Sequence, residues 1–260
     1  MKVSIVTVVY NGEQYIEDCI QSVLAQNYPD IEYVVIDGGS KDSTVEKISK
    51  YADQIAHFVS EPDKGIYDAM NKGIRAATGD IVGILNADDF YSSHDAIAKV
   101  VETFLEKGVE ATFADVRFIK ENDKNKTIRY YSSAKWYPEK FARGYMPAHP
   151  TFFTYRKYFA SYGLYRTDMR IAADYELLIR FLYKEKLTYA YINACLITMR
   201  LGGISTNGLK SLLLLNKEIL QGCQINEVKT NYLKIYSKYF SKIIEYIYPR
   251  LSGSSGPRTP

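Results

Sequence analysis

The side chains best placed for chemistry in this sequence are carboxylates that follow short apolar runs. Asp37 ends IEYVVID, Asp63 opens Asp63-Lys64-Gly65, and Asn86-Ala87-Asp88-Asp89 closes DIVGILNADD. Tyr10-Asn11-Gly12 holds the matching place after Val3–Val9. In a parallel sheet, ligands bind beyond the carboxyl ends of the strands where the strand order reverses, so these loops carry the weight. For any single Asp the competing reading is a helix cap or a turn, and Asp42 and Asp95 read as caps alone. Asp88-Asp89 differs. Two adjacent carboxylates at the mouth of a buried strand repel each other, and a cation shared between them relieves that repulsion. Hard oxygen ligands of this kind suit Mg²⁺ or Mn²⁺, shared with a phosphate.

Other signatures are missing. There is no GxGxxG after the first apolar run and no GxxxxGK[ST], which counts against dinucleotide and P-loop sites. Neither HExxH nor GxSxG occurs, and no cysteine sits in an obvious nucleophile setting. What remains is a nucleotide held by strand-end Asp residues with a metal on its phosphates.

Two hydrophobic periods predict the elements that position these loops. Val3–Val9, 31–37, 55–59 and 80–86 are β-branched runs. Residues 13–26 place Tyr15, Ile16, Cys19, Ile20, Val23 and Leu24 at helical spacing. Further helices are expected from Ser40 or Asp42 to about Ala52, over 66–77, and up to Gly108. Strand and helix alternating through short links predict an α/β domain, its mainly parallel sheet covered on both faces. Beyond Glu110 the rhythm changes. Residues 110–119 and 127–133 read as a hairpin around 121–126. Residues 150–156 read as a strand leading into a helix to about Tyr162, and 172–184 as a helix. TYAYIN and CLITMRL read as short strands, and two helices close the chain at about 206–222 and 228–248. SGSSGPRTP (252–260) is linker-like and is set aside from the fold.

The composition bounds the function. The chain's 260 residues, 47% hydrophobic and 24% charged, suffice for a buried core without disulfides or structural metal. A net charge of +3 is too small for a dedicated nucleic-acid binder. Its three cysteines lie far apart with no CxxC pair, which argues for a reducing, cytoplasmic home. MKVSIVTVVYNG reads as a first strand rather than a signal peptide. No run reaches the ~18 apolar residues a membrane span requires.

These loops at this spacing resemble the family 2 inverting glycosyltransferases of GT-A fold, of the bacterial surface-polysaccharide type. The resemblance is carried by TVVYNGEQYIEDCIQSVLAQNYPDIEYVVIDGGSKDST and DKGIYDAMNKGIRAATGDIVGILNADD, and is dense over residues 3–92. It continues through HPTFF, AADYELLIR and GGIS to about residue 206. It implies a catalytic domain over 1–206, with a nucleotide-binding half (1–108) and an acceptor-side half (109–206). A helical extension (207–250) and a tail (251–260) follow. By this resemblance Thr7, Val9, Tyr10, Asn11 and Asp37 hold the uracil and ribose of a nucleotide-sugar, and Asp63, Lys64 and Gly65 line its base and diphosphate. Asn86, Ala87, Asp88 and Asp89 match the DXD region, which contacts the ribose and a divalent metal. Asn86 stands where many members have Asp, leaving Mg²⁺ or Mn²⁺ to Asp88 and Asp89. Asp174 matches the acceptor-side catalytic base.

The chemistry agrees with that transfer of roles. An inverting displacement needs one carboxylate to take the acceptor proton, and a cation to stabilise the departing diphosphate. No covalent sugar intermediate forms, so the carboxylate pair of glycosidases is not required. Asp174 opens an apolar helix; its alternative role is a carboxylate favoured by the helix dipole, and Glu176 is the rival base. His149 reads either as a buried, hydrogen-bonded histidine or as a diphosphate or metal contact. Arg170 and Arg200 read either as salt-bridging residues or as phosphate neutralisers. Gly202–Ser205 could hinge as a lid.

The closing helix has two readings. Tyr232, Ile235, Tyr236, Tyr239, Phe240, Ile243 and Ile247 share one face, and Lys234, Lys238 and Lys242 form a column on the other. That pattern suits an anionic surface on the inner face of the cell membrane, where a lipid-linked acceptor would be met. It equally suits packing of the aromatic face on the catalytic domain. Two rivals stand beside the transferase. A sugar nucleotidyltransferase would show a Gly-rich, basic loop after the first strand, where YNGEQY is acidic. A non-catalytic nucleotide-sugar-binding module would have no need of both Asp88-Asp89 and Asp174.

Overall fold

The computed structural model describes residues 1–120, 123–201 and 208–239. The first half alternates as expected: β1 (Val3–Val9), α1 (Ile16–Leu24), β2 (Ile31–Asp37), α2 (Thr44–Ser49), β3 (His57–Ser60), α3 (Ile66–Ala76) and β4 (Ile81–Asn86). After a short β5 (Phe90–Tyr91) come α4 (Ala96–Lys107), β6 (Ala111–Lys120), β7 (Asp123–Tyr131), β8 (Phe153–Tyr155) and α5 (Arg156–Tyr162). α6 (Ala173–Ile179), β9 (Tyr189–Arg200) and α7 (Gly208–Ile225) follow, and residues 232–239 are helical.

One sheet runs in the order β3-β2-β1-β4-β8-β6-β9-β5, with β7 paired to β6. β3, β2, β1 and β4 are mutually parallel, β8 enters antiparallel to both β4 and β6, and β9 runs parallel to β6. The chain runs outward from β1 through β2 to β3 and then crosses back to β4 on the other side of β1, so a switch point opens beyond the carboxyl ends of β1 and β4. Successive residues of β1 point to opposite faces. Val3, Ile5 and Val9 join α1 and α4 in one core, while Val6 and Val8 join α3 and α6 in the other. Burial on both sides explains why these strands read as unbroken apolar runs rather than alternating ones. At Gly83 the ring of Phe153 on β8 comes so close that an added Cβ would lie 2.1 Å from it. A side chain there would push β8 off β4.

Several expectations are corrected. β5 has only two residues and no apolar run of its own; pairing with Thr198 and Ile197 makes it a strand. TYAYIN and CLITMRL are one strand, β9, whose period breaks where two extra residues are accommodated between Tyr191 and Cys195 opposite β6. The strand expected over 150–156 is a 3-10 turn (His149–Thr151) followed by β8. The helix expected over 172–184 is α6 continued by a π-helical turn, Arg180–Lys184. The helix expected to reach Ala52 stops at Ser49. The turn at 121–122, the Gly202–Ser205 segment and everything from residue 240, tail included, lie outside the described residues.

The helices after residue 206 belong to the same core as the rest. Ile219, Cys223, Val228 and Ile235 are buried together with Tyr175, Leu178 and Phe181 of the α6 segment. Lys238 is 7% exposed, beside the ring of Tyr239 at 5.1 Å, whereas Lys234 is exposed, so the described part of the expected lysine column is solvated at one position and buried at the other. No described helix is long and apolar enough to cross a membrane.

Candidate active site

The loops at the switch point are tied to one another before any ligand enters. Asn11, at φ 49°, donates its amide to Ser40 Oγ at 2.7 Å, and its side-chain oxygen accepts the Lys41 amide at 2.9 Å. Asp37 is fully buried. Its carboxylate accepts the amides of Gly39 (3.1 Å) and Ser40 (2.9 Å) and the hydroxyls of Ser40 and Ser60. Thr7 and Val9 point into the core on the α1 side, Thr7 Oγ1 taking the Tyr33 hydroxyl at 3.1 Å. Of the residues expected to touch a nucleotide, Thr7 and Val9 have their side chains in the core, and Asn11 and Asp37 have theirs bonded within the loops.

Tyr10 is what those loops present. Its ring is 63% exposed and packs beside Gly38, where an added Cβ would fall 3.5 Å from Tyr10 Cδ2 and 2.3 Å from Asp63 Oδ2. An exposed aromatic face, a carboxylate and bare backbone thus meet at one spot, a surface suited to stacking and hydrogen-bonding a base. Asp63 Oδ1 accepts the Gly65 amide at 2.8 Å, fixing the turn into α3. Gly65 adopts φ 116° with open space where a Cβ would stand, and the Lys64 side chain is exposed.

The acid pair separates. Successive residues leaving β4 turn to opposite sides, so Asp88 is half-buried while Asp89 is 1% exposed. Both Asp89 oxygens and Asn86 Oδ1 lack a hydrogen-bond partner. Burial, then the charge of Asp88, pushes the Asp89 carboxyl well up, with Arg200 opposing; burial also raises Asp88. Ala87 is 8% exposed, its amide held by the Val8 carbonyl at 3.3 Å. Arg200, one of the expected phosphate neutralisers, is 6% exposed behind this loop. It donates to the Asp88 carbonyl at 2.7 Å and to Asp18, between the rings of Tyr15 (4.7 Å) and Phe90 (4.9 Å). Its guanidinium braces the loop from inside and does not face the cleft. Among the described residues no three His, Cys, Asp or Glu side chains cluster as a metal cage. Asp88 fits a cation completed by substrate phosphates, the arrangement usual for Mg²⁺; Asp89, enclosed as it stands, does not share its opening.

The acceptor side forms around α6. Asp174 Oδ1 accepts the Tyr175 amide at 2.8 Å and the Tyr67 hydroxyl at 3.3 Å, and Oδ2 lies 3.3 Å from His149 Nδ1. Tyr67 is on α3, two residues beyond Gly65, and stacks on Tyr165 at 5.7 Å. Burial, then the Asp174 charge, pushes the Tyr67 phenol well up, which keeps it a donor. Tyr67, in the first turn of α3, thus links the Asp63–Gly65 loop to the Asp174 carboxylate. Glu176, the rival base, is 1% exposed and fully engaged by Arg180 (2.9 and 3.2 Å) and Asn226 (3.0 Å). Arg170 is exposed four residues before Asp174, and its amide is held by Glu218 at 2.9 Å.

This geometry can be set beside known proteins. The model of glycosyl transferase family 2 matches residues 4–163. An uncharacterized glycosyltransferase of Mycobacterium tuberculosis is 35% identical over 184 residues, 68% of each chain. The chain belongs to glycosyl transferase family 2. A PGL/p-HBAD biosynthesis glycosyltransferase of Mycobacterium bovis is 28% identical over 78% of each chain. Among solved structures, Staphylococcus aureus TarS 1-349 in complex with UDP-GlcNAc superposes with a TM-score of 0.68 at 14% identity, over 95% of this chain and 73% of that one. The mannosyltransferase PcManGT of Pyrobaculum calidifontis, in complex with GDP-Man and Mn²⁺, gives 0.62 at 17% identity over 98% and 76%. At such identities the likeness is one of fold, and the fold is that of GT-A glycosyltransferases.

Three site residues had escaped the sequence reading of this family 2 enzyme. Tyr67 and Gly38 are in the matched blocks, but only contact reveals that one touches Asp174 and the other makes room for Asp63. Glu218 is on α7, beyond the matched residues. Its carboxylate accepts the amides of Arg170, Ile171 and Ala172, each at 2.9 Å, and so closes the approach to α6.

Proposed function

We propose that this family 2 glycosyltransferase moves a hexosyl or N-acetylhexosaminyl group, with inversion, from a UDP-sugar to a hydroxyl of a surface glycan or lipid-linked oligosaccharide. The observation that carries the reading is the meeting of Asp174 and His149 with Tyr67, two residues beyond the Asp63–Gly65 loop. Tyr10 stacks on the base, whose edge Asp63 reads across Gly38. Lys64 and the open backbone at Gly65 face the diphosphate. A Mg²⁺ or Mn²⁺ at Asp88 would supply positive charge against the leaving diphosphate. The Asp174–His149 pair takes the acceptor proton as the oxygen attacks the anomeric carbon in line. The complex of a fold neighbour with UDP-GlcNAc supports a UDP-sugar as the donor class. Calorimetric titration of UDP with and without Mn²⁺ tests the donor side, and the product anomer tests the displacement. UDP that does not bind, or a product that retains the donor configuration, would overturn the proposal.

A further inference from the structure

The two oxygens of Asp174 stand in unlike surroundings. Oδ1 accepts the Tyr175 amide at 2.8 Å and the Tyr67 hydroxyl at 3.3 Å. Oδ2 takes no hydrogen bond from a described residue; His149 Nδ1 lies 3.3 Å from it as an ion-pair contact. A carboxylate free to turn about its Cβ–Cγ bond interchanges such oxygens and aims its lone pairs in many directions. Two donors on one oxygen fix the plane and leave the other to meet an incoming hydroxyl in a defined geometry. The Tyr175 amide comes from α6 itself, but the phenol comes from α3, 107 positions earlier. Its place is built. The Tyr67 ring is 7% exposed and stacks on Tyr165 with 17° between the planes. Tyr165 is gripped in turn by the Asn71 side chain, which donates to its carbonyl at 2.8 Å and accepts its amide at 2.9 Å. Asn71 is 3% exposed and stands four residues after Tyr67, so one turn of α3 holds both the phenol and the residue it stacks on.

We infer that Tyr67 is a positioning residue for the base: its hydroxyl, held through Tyr165 and Asn71, turns the Asp174 carboxylate so that Oδ2 takes the acceptor proton. The inference rests on the transferase reading above. In the step, the acceptor O–H proton passes to Oδ2 while the oxygen forms a bond to the anomeric carbon. The bond from that carbon to the donor phosphate oxygen breaks, and its electron pair leaves with the nucleoside diphosphate. Tyr67 touches none of the reacting atoms. It stands two residues beyond Gly65, so the helix that begins at the donor loop also aims the base, and donor and base share one frame.

The contact can be read without any activity. With ¹³Cζ-labelled tyrosine, the signal missing from Tyr67→Phe identifies Tyr67 among the chain's 24 tyrosines. That signal should move in Asp174→Asn; if it stays in place, the hydroxyl does not hold the carboxylate and the inference fails, whatever the donor. Activity is read as UDP release from a panel of UDP-sugars with water as the acceptor. Tyr67→Phe keeps the stacked ring and removes only the hydroxyl. It should lower kcat by ~10- to 10²-fold, the scale of a misaimed reacting group, with the donor KM and UDP affinity unchanged. Added to Asp174→Asn, the same substitution should cost nothing more, because the hydroxyl then has no carboxylate to aim. A loss by the same factor in both backgrounds would make Tyr67 a structural residue, and weakened UDP binding would make it a donor contact; either result defeats the inference, as does near-normal kcat in Tyr67→Phe. The comparison of backgrounds holds even if Tyr67→Phe melts early, since both carry that cost. An unaltered chain that neither binds UDP nor hydrolyses any donor would overturn the transferase reading itself, a different result from any of these.

Discussion

Replacing Glu218 by Ala should both soften the protein and disable the base it never touches. The carboxylate, 5% exposed on α7, receives three backbone amides at 2.9 Å. Arg170 is exposed and its amide can turn to water, but Ile171 is half-buried and Ala172 only 1% exposed. The cost therefore comes chiefly from two inner amides, at about 1–3 kcal/mol for each buried group left without its partner. That sums to roughly 2–6 kcal/mol, and at ~2–4 °C per kcal/mol for a chain of this size the melting temperature should fall by about 4–24 °C. Asp174 begins two residues after the last of those amides, so turnover should fall with it. UDP affinity should hold, because Tyr10, Asp63 and Asp88 are on other elements. Glu218→Gln should be intermediate, since its amide NH₂ would oppose one of the backbone donors. Melting followed by circular dichroism, UDP titration and donor hydrolysis on the same preparations make the comparison. A melting point within ~2 °C of the unaltered chain, with full turnover, would refute the idea that α7 positions α6.

Three other outcomes follow from single contacts. Asp88→Asn should abolish any Mn²⁺ dependence of UDP binding, whereas Asp89→Asn should leave it, since Asp89 is enclosed; calorimetry with and without metal separates the two. Glu32 is held down to about pKa 2, bonds from Lys2, Ser4 and Thr78 outweighing the upward push of burial. Its contribution to stability should be complete above its ordinary value of 4.5 and be lost as pH falls from there towards 2; urea midpoints measured across that window should flatten in Glu32→Gln. Truncation after residue 226 removes Val228 and Ile235 from the core. The melting temperature should drop and turnover with any acceptor should fall together, whereas a stable truncation that lost only lipid-linked transfer would favour the membrane reading of the tail.

The nucleotide half was legible because its physics is local. β1, β2 and β4 are buried on both faces, so each appears as an apolar run, and each is followed by Gly, Asn or Asp where the chain must turn. Asp63, Lys64 and Asp88 could be named from those positions, and Asp174 only through the family resemblance of AADYELLIR. Their division of labour could not. Thr7 and Val9 look identical to contact residues until the pleat sends them into the core, and two adjacent Asp residues look like a pair until β5 turns Asp89 inward beside Cys19 and Arg200. β5 itself exists only by pairing with β9.

What tertiary structure decided is which distant groups meet. His149 and Asp174 are 25 positions apart, Tyr67 and Asp174 107, and Glu218 and Ala172 46. No spacing rule covers such intervals, because the contacts depend on how α3, α6 and α7 pack over one face of the sheet. The sequence by itself determined the α/β alternation, the strand-end loops and the carboxylates in them, since hydrophobic period and turn chemistry are properties of neighbours along the chain. The pairing of Asp174 with an imidazole, the burial of Arg200 and the clamp from α7 were settled only when the helices closed on the sheet, where burial and unpaired amides select one partner for each polar group.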